Sequence, residues 1–427
     1  MRVHLGFLII LIFFLTYLLC SDFTSFTICF DPSQYQEVNG QLLRSNNMVS
    51  DADLYAYTGW LYVRGSPEYF LNMTSGQRYP PLMHITGHPP LAIYLIGLSI
   101  IIFNNQNVMS LVFASLTLIA TYIISRRVLE ESFFTLIPPF ILCLDKMFLS
   151  FSTVSRLDIY LTFFTILSVV LYIYALKRPV FFLVFSLVLG LAVASKWSAI
   201  FLIPACIIYL VVRRDWRGLK LLLLSLPLAL LSYILVFIVF FINGYTFQEF
   251  ISLNLDVFKG QFERRYQVGK APFWILLNLL TGISGPGTSR VIYISETGEI
   301  VGYEPAIWGL HMIEYFNPFT WPITFSASIL AIYYAWRNRE YIALFPSFWF
   351  FSFLAFMVNM GSLFEWYLLP ILPAGYIAIA YTIKNIYIDS KNKRFAKLII
   401  AMYCIAIAVW SLLIKVPAFI PLSQIPT

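Results

Sequence analysis

The chain has 427 residues, of which 60% are hydrophobic and 11% charged. Soluble domains carry roughly 25% charge, so a soluble globular protein is excluded. Apolar runs of about 17 to 25 residues, enough to cross a ~30 Å hydrocarbon core, recur along most of the length. Lysine and arginine exceed the acids by seven, 28 against 21. In such a chain the excess is an orientation signal and not a nucleic-acid footprint. The expected fold class is an all-α polytopic membrane protein.

In chain order, the first apolar stretch, residues 4–20, follows Met1-Arg2-Val3-His4. Its length, and the lack of a small-x-small pattern before Ser21, predict a retained signal-anchor with a cytoplasmic N-terminus. Further apolar segments fall at 90–103, 107–125, 133–149, 158–176, 179–195, 197–213, 218–242, 318–336, 341–359, 365–383 and 396–414. The segment 90–103, opened by Pro89-Pro90, is short and suits a re-entrant or interfacial helix better than a span. Charge decides the count. With 90–103 left out, about eleven spans start inside and end outside. Arg126-Arg127, Lys177-Arg178, Arg213-Arg214-Asp215-Trp216-Arg217, Arg337-Asn338-Arg339 and Lys391-Asn392-Lys393-Arg394 then all face the cytoplasm. One integral domain, 1–427, results, with a first outer loop at 21–106 and a second at 243–317.

Asn72-Met73-Thr74 in the first loop is an N-glycosylation sequon. In the second loop, Phe247, Phe250, Ile251, Leu255, Phe258 and Phe262 fall at helical spacing opposite Gln248, Glu249, Ser252, Asp256, Lys259 and Glu263. That pattern predicts an amphipathic helix in the interface plane. Phe273 to Leu280 is apolar but too short to span, and Val291 to Tyr303, turning at Thr297-Gly298, reads as a hairpin. The five cysteines, Cys20, Cys29, Cys143, Cys206 and Cys404, form no CxxC; four lie in or at the ends of apolar spans, and small buried residues are the default reading. A Cys20–Cys29 bridge is the alternative.

The topology puts four polar patches on the outer face, at the edges of apolar segments where charge is costly. Asp51 and Asp53 are candidate general bases for an incoming hydroxyl, although Asp-x-Asp alone reads equally as a helix cap. His88 precedes Pro89 and Pro90, which rigidify a helix start whose free N–H groups favour anions. Arg156 offers a planar donor set matched to phosphate. Asp158 either holds Arg156 in place or forms an ordinary ion pair with it. Lys196, in Ser195-Lys196-Trp197, interrupts two apolar spans at an outer turn and is a second phosphate ligand; snorkelling is the alternative. Arg264-Arg265 is a further anion candidate, or a headgroup contact. Together these groups describe a site for a sugar on a polyprenyl phosphate. The cations stabilise the departing phosphate and a carboxylate activates the acceptor, with inversion at the anomeric carbon. Such a lipid already carries its leaving group, so no cofactor, metal or nucleotide loop is expected, and the sequence has no P-loop.

The order of these motifs resembles the protein O-mannosyltransferases that use dolichyl-phosphate mannose. They belong to the wider GT-C class of polytopic, lipid-phosphate-sugar-dependent glycosyltransferases, which includes the aminoarabinose transferases of lipid A. The resemblance runs over about residues 50–215 through an acidic motif, His88-Pro89-Pro90-Leu91, Ser155-Arg156-Leu157-Asp158 and Ala194-Ser195-Lys196-Trp197. It continues weakly in Tyr367-Leu368-Leu369-Pro370-Ile371-Leu372-Pro373. It implies a catalytic base at Asp51, with Arg156 and Lys196 near the donor phosphate. The family's acidic motif is usually Asp-Glu; here Ala52 follows Asp51, so Asp53 is the alternative base. The partners implied are a polyprenyl-phosphate sugar, a protein or glycan acceptor and the bilayer, with no nucleic acid. The setting implied is a prokaryotic, archaeal-type cell membrane with the site facing outside, or else the endoplasmic reticulum. A transporter or flippase for lipid-linked sugars is the competing reading. It calls for polar groups at the bilayer midplane; Asp145-Lys146 is the one exception to the placement of polar groups at one mouth, and it too lies near the outer end of its span.

Overall fold

Backbone polar groups in hydrocarbon must be satisfied within their own segment, and the apolar runs of this chain are helical accordingly. The computed structural model describes residues 2–38, 41–44, 47–66, 76–267, 274–284, 287–294, 300–308, 311–360 and 364–414. Helix α1 (Arg2–Ser21) and the short α2 (Phe23–Thr27) precede β1 (Tyr35–Val38), β2 (Gln41–Arg44) and β3 (Asn47–Met48), which lead into α3 (Asp51–Arg64). The three strands form an antiparallel meander with Tyr35 opposite Arg44 and Leu43 opposite Met48. Then come α4 (Leu82–Thr86), α5 (Leu91–Phe103), α6 (Val108–Leu129), α7 (Ile137–Leu144), α8 (Lys146–Ser152), α9 (Leu157–Ala175) and α10 (Phe181–Ser195). A 3-10 turn over Trp197–Phe201 joins α11 (Leu202–Val212), followed by α12 (Trp216–Val236) and α13 (Ile238–Ile242).

The second loop contains α14 (Phe247–Gln267), α15 (Trp274–Thr281), β4 (Ile283–Ser284), β5 (Gly287–Ile294), β6 (Ile300–Trp308) and β7 (His311–Met312). Strands β5 and β6 pair antiparallel, Val291 opposite Glu304, so the expected hairpin is present and longer than its predicted core. Its turn, Thr297-Gly298, lies outside the described residues, as do the sequon Asn72-Met73-Thr74 and the side chains of Arg264 and Arg265. Helices α16 (Trp321–Asn338), α17 (Leu344–Met360), α18 (Leu372–Asp389) and α19 (Lys393–Leu413) complete the chain. All five cysteines are free; Cys143 and Cys206 are buried as expected, whereas Cys20, at the end of the first apolar segment, is exposed, as is Cys29.

Every segment expected to span is helical. Among the described residues, six stretches have the length and apolarity to cross a membrane: Val3–Ser21, α6, α9, α12, Tyr341–Val358 and α19. The pair Phe133–Leu144 and Lys146–Ser152 adds a seventh as one span bent by 63°. Phe181–Ser195 and Trp197–Val212 are apolar but shorter, so the count of about eleven rests on charge and not on length. As expected, α5 is also short, at 13 residues. The 63° bend has an identifiable cause. Asp145 caps α8, accepting from Phe148 N at 2.9 Å, and the same carboxylate accepts from Trp321 Nε1 at 2.9 Å and Tyr376 OH at 2.6 Å.

The basic turns gather at one end of the bundle. Arg127 Nη2 donates to Tyr174 OH at 3.2 Å, Arg337 pairs with Asp389 at 3.0 Å, and Lys384 Nζ donates to Leu129 O at 3.4 Å. At the opposite end, α3 crosses α5 with backbones in contact. A Cβ on Gly97 would overlap the Gly59 backbone, and one on Gly59 would meet the Ile93 carbonyl. Gly97→Leu is therefore expected to force the two helices apart at a cost of about 1–3 kcal/mol. Thermal unfolding in detergent measures this, and an unchanged Tm would refute the tight crossing.

Candidate active site

Helix α3 starts where it does because Ser50 caps it. Ser50 Oγ accepts from Asp53 N at 3.3 Å, and the Asp53 carboxylate accepts from Ser50 N at 3.2 Å, a reciprocal capping box. The same carboxylate takes Arg44 Nη1 at 2.6 Å, Ser50 Oγ at 2.7 Å and Tyr35 OH at 3.2 Å. Asp53 thus ties the β1–β3 meander to the start of α3. Asp51, two residues earlier, points elsewhere. It is exposed and, among the described residues, has no hydrogen bond or ion pair.

Helix α9 starts at Leu157 with Arg156 as its extended N-cap. Ser155 Oγ donates to Ala52 O at 3.2 Å, which brings this motif beside α3. Asp158, 4% exposed, accepts from Lys196 Nζ at 2.7 Å. Lys196, 5% exposed, is the extended residue between α10 and the 197–201 turn, and it sits over the Tyr367 ring at 4.1 Å. Burial works against its ammonium and is the largest single influence, but Asp158, Tyr367 and Asp51 together raise its pKa above the ordinary lysine value. An Arg156–Asp158 pair, one of the two sequence expectations, is not formed. Two residues apart at a helix start, the side chains face different ways, and Asp158 turns inward toward α10. Arg156 instead rests over the rings of Trp366 at 5.0 Å and Phe151 at 5.5 Å. Among the described residues its guanidinium has no hydrogen bond or ion pair.

His88 follows Gly87, whose φ of +68° makes the turn out of α4. The imidazole meets the Tyr55 ring edge-on at 6.2 Å. Pro89 and Pro90 lie just outside α5, with Pro90 as its N-cap and Pro90 O accepting from Tyr94 N at 2.9 Å. Tyr55, one turn along α3 from Asp51, is the meeting point of the four motifs. Burial raises its phenol well above the ordinary value, the Asp51 and Asp158 carboxylates and Tyr367 push it the same way, and Arg156 opposes them. The structure therefore gathers Asp51, His88, Arg156, Asp158 and Lys196 at one end of the bundle.

A groove of ≈ 600 Å³ leads away from this cluster. Val193, Leu230, Leu255 and Phe258 are among its apolar walls, and His88, Lys196 and Tyr367 close one end. Its roof is α14, the amphipathic helix read from the sequence. Trp197 Nε1 donates to Tyr233 OH at 2.9 Å and Tyr233 OH to Asn254 Oδ1 at 2.5 Å, while Gln261 Nε2 donates to Gly87 O at 3.0 Å. Sequence reasoning missed the ring supports. Trp366 and Tyr367, adjacent on the 3-10 turn Glu365–Leu368, each lie beneath one cation. The available signal was an aromatic pair just before the Pro-x-x-Pro segment. Among the described residues, no group of three or more His, Cys, Asp or Glu side chains is placed to hold a metal.

Residues 87–244 match the sequence model of a family described as dolichyl-phosphate-mannose-protein mannosyltransferase. The matched stretch contains His88, Arg156, Asp158 and Lys196 and leaves out Asp51 and Asp53. A comparison with curated proteins gives no match. Crystal structures of ArnT from Cupriavidus metallidurans are similar in fold. The one bound to undecaprenyl phosphate has a TM-score of 0.58 at 15% identity, and the apo one 0.53 at 14%. Each alignment covers 92% of this chain and 62% of ArnT, so the chain spans less than two thirds of that protein's length. This is a multi-pass membrane protein with the fold of ArnT, and its residues 87–244 carry the sequence pattern of the dolichyl-phosphate-mannose-protein mannosyltransferases.

Proposed function

We propose that the chain is a membrane glycosyltransferase moving a hexose, mannose in our reading, from a polyprenyl phosphate to an acceptor hydroxyl on the outer or lumenal face. The acceptor we favour is a serine or threonine of a protein. One observation carries this reading: an exposed carboxylate and a guanidinium, neither with a hydrogen bond or ion pair among the described residues, lie near the Lys196–Asp158 pair, whose lysine closes one end of an apolar groove. A lipid chain fits the groove, its phosphate meets Arg156 and the Lys196–Asp158 pair, and the sugar projects toward Asp51. Undecaprenyl phosphate bound to the similar ArnT fold supports the choice of lipid, and the family match supports the sugar.

In the reaction, Asp51 accepts the proton of the acceptor hydroxyl as its oxygen bonds to the anomeric carbon. The bond from that carbon to the phosphate oxygen breaks on the opposite face, so configuration inverts, and its electron pair stays on the lipid phosphate. The donor diester carries one negative charge and the departing monoester two. The added charge develops beside Arg156, whose guanidinium has no ion pair among the described residues. Asp53, saturated by its cap and by Arg44, is a positioning residue in this scheme.

The test incubates purified protein with labelled polyprenyl-phosphate sugars and a serine- or threonine-bearing peptide. Asp51→Asn is expected to lower transfer by about 100-fold or more with Tm unchanged. Asp53→Asn is expected to lower Tm, through a cap worth about 1 kcal/mol and its ion pair, and to retain measurable transfer. Full transfer by Asp51→Asn removes the base assignment, and no transfer from any lipid donor removes the reading.

The buried pair gives a second prediction. Asp158→Asn leaves Lys196 charged and alone, a loss of about 3–5 kcal/mol. The double variant Asp158→Asn/Lys196→Met is expected to regain most of that stability but not the transfer rate. A double variant no more stable than Asp158→Asn alone would show that the pair is not what the site rests on.

A further inference from the structure

At the end of the bundle far from Asp51, α19 is held differently along its two halves. Its later half is tied to the segment preceding α16. Tyr403 OH donates to Phe319 O at 2.7 Å, Trp410 Nε1 to Phe316 O at 2.9 Å, and Asn317 Nδ2 to Ser411 Oγ at 3.1 Å. Its first turn bonds only locally among the described residues. Asn392 Oδ1 caps it by accepting from Phe395 N at 3.0 Å, and Lys393 Nζ donates to Tyr387 O and Ile388 O, both at 2.6 Å, at the close of α18. Below that turn a groove of ≈ 490 Å³ opens between α16, α18 and α19.

The walls of this groove include Ile323, Leu330, Ile383, Ile386 and Ile399. Apolar walls do not hold water, and in a bilayer such a slot is filled by an acyl chain or by protein. The rim decides between them. Ser390 and Phe395 line the groove's end, and Lys391, Arg394 and Lys397 flank them. All three cations are exposed and, among the described residues, none has a hydrogen bond or ion pair. The nearby carboxylate, Asp389, is already bidentate with Arg337, at 3.0 and 3.2 Å. A second copy docked by two-fold symmetry would set three uncompensated cations against three. An amphiphile with one anionic head and apolar tails satisfies both parts.

We propose that this groove binds an anionic membrane phospholipid, its phosphate against Lys391 and Arg394 and a chain between α16, α18 and α19. The site is separate from the donor groove at the other end of the bundle, so it stands or falls independently of the proposed transfer reaction.

The test reconstitutes the full chain in nanodiscs of equal parts phosphatidylglycerol and phosphatidylcholine, extracts it in mild detergent, and counts bound lipids by native mass spectrometry. One phosphatidylglycerol per protein is expected to be retained in preference to phosphatidylcholine. Lys391→Glu/Arg394→Glu is expected to cut that retention about tenfold. Ala396→Trp, which fills the groove and leaves the rim intact, is expected to abolish it. As a readout that needs no variant, added phosphatidylglycerol raises the wild-type Tm and phosphatidylcholine does not. Equal retention of both lipids, wild-type retention by Ala396→Trp (surface attraction alone), or a protein dimer in place of the lipid adduct would each overturn the proposal.

Discussion

The candidate site depends on one buried ion pair, Lys196 with Asp158 at 2.7 Å. Moving either charge out of water costs several kcal/mol even after relaxation, and neither is tolerated here without the other. The pair spans 38 residues of sequence and joins the first turn of α9 to the end of α10. It therefore fixes where α10 stops, and it holds the lysine at the head of the apolar groove. Tyr367 closes the remaining side with a ring face, which adds attraction without adding charge.

The pair also sets the charge available for chemistry. Asp158 cancels Lys196, and Arg44 cancels Asp53. Arg156 and Asp51 remain uncommitted among the described residues. Arg156 is half-buried on aromatic rings and Asp51 is exposed. In the proposed reaction a phosphate diester would bring in the negative charge that Arg156 lacks, and an approaching hydroxyl would supply the proton that Asp51 can take. The proposed difference in role between two aspartates two residues apart rests on one being consumed by a capping box and the other not.

Much of this was legible in the sequence. Apolar runs gave the helices, since a long uncharged run in lipid has no alternative to helix. The interfacial α14, the hairpin of β5 and β6, and the short α5 behind Pro89-Pro90 all follow from periodicity, turn residues and length. The partner choices were not legible. Whether Asp158 faces Arg156 or Lys196 depends on which way a helix turns toward a neighbour, and local sequence does not encode that. Trp366 and Tyr367 lie far along the chain from the cations they support, and no spacing rule links them. The β1–β3 meander was missed because the polar stretch 35–48 has no steady alternation of apolar and polar residues.

Asp145 is the buried carboxylate on which a transport reading would rest. It is fully buried, and a carboxylate at that depth would ordinarily suggest a transport path. Here it accepts from Trp321, Tyr376 and the Phe148 backbone, so its capacity goes to holding a bent span against α16 and α18. Groups locked this way cannot exchange partners with a moving solute without a large cost. A transporter needs the reverse, with labile polar groups at midplane and saturated ones at the mouths. Asp145 is held by fixed partners, while Arg156 and Asp51 at the rim have no hydrogen bond or ion pair among the described residues, an arrangement that suits the proposed reaction at the membrane surface on a lipid held from the side.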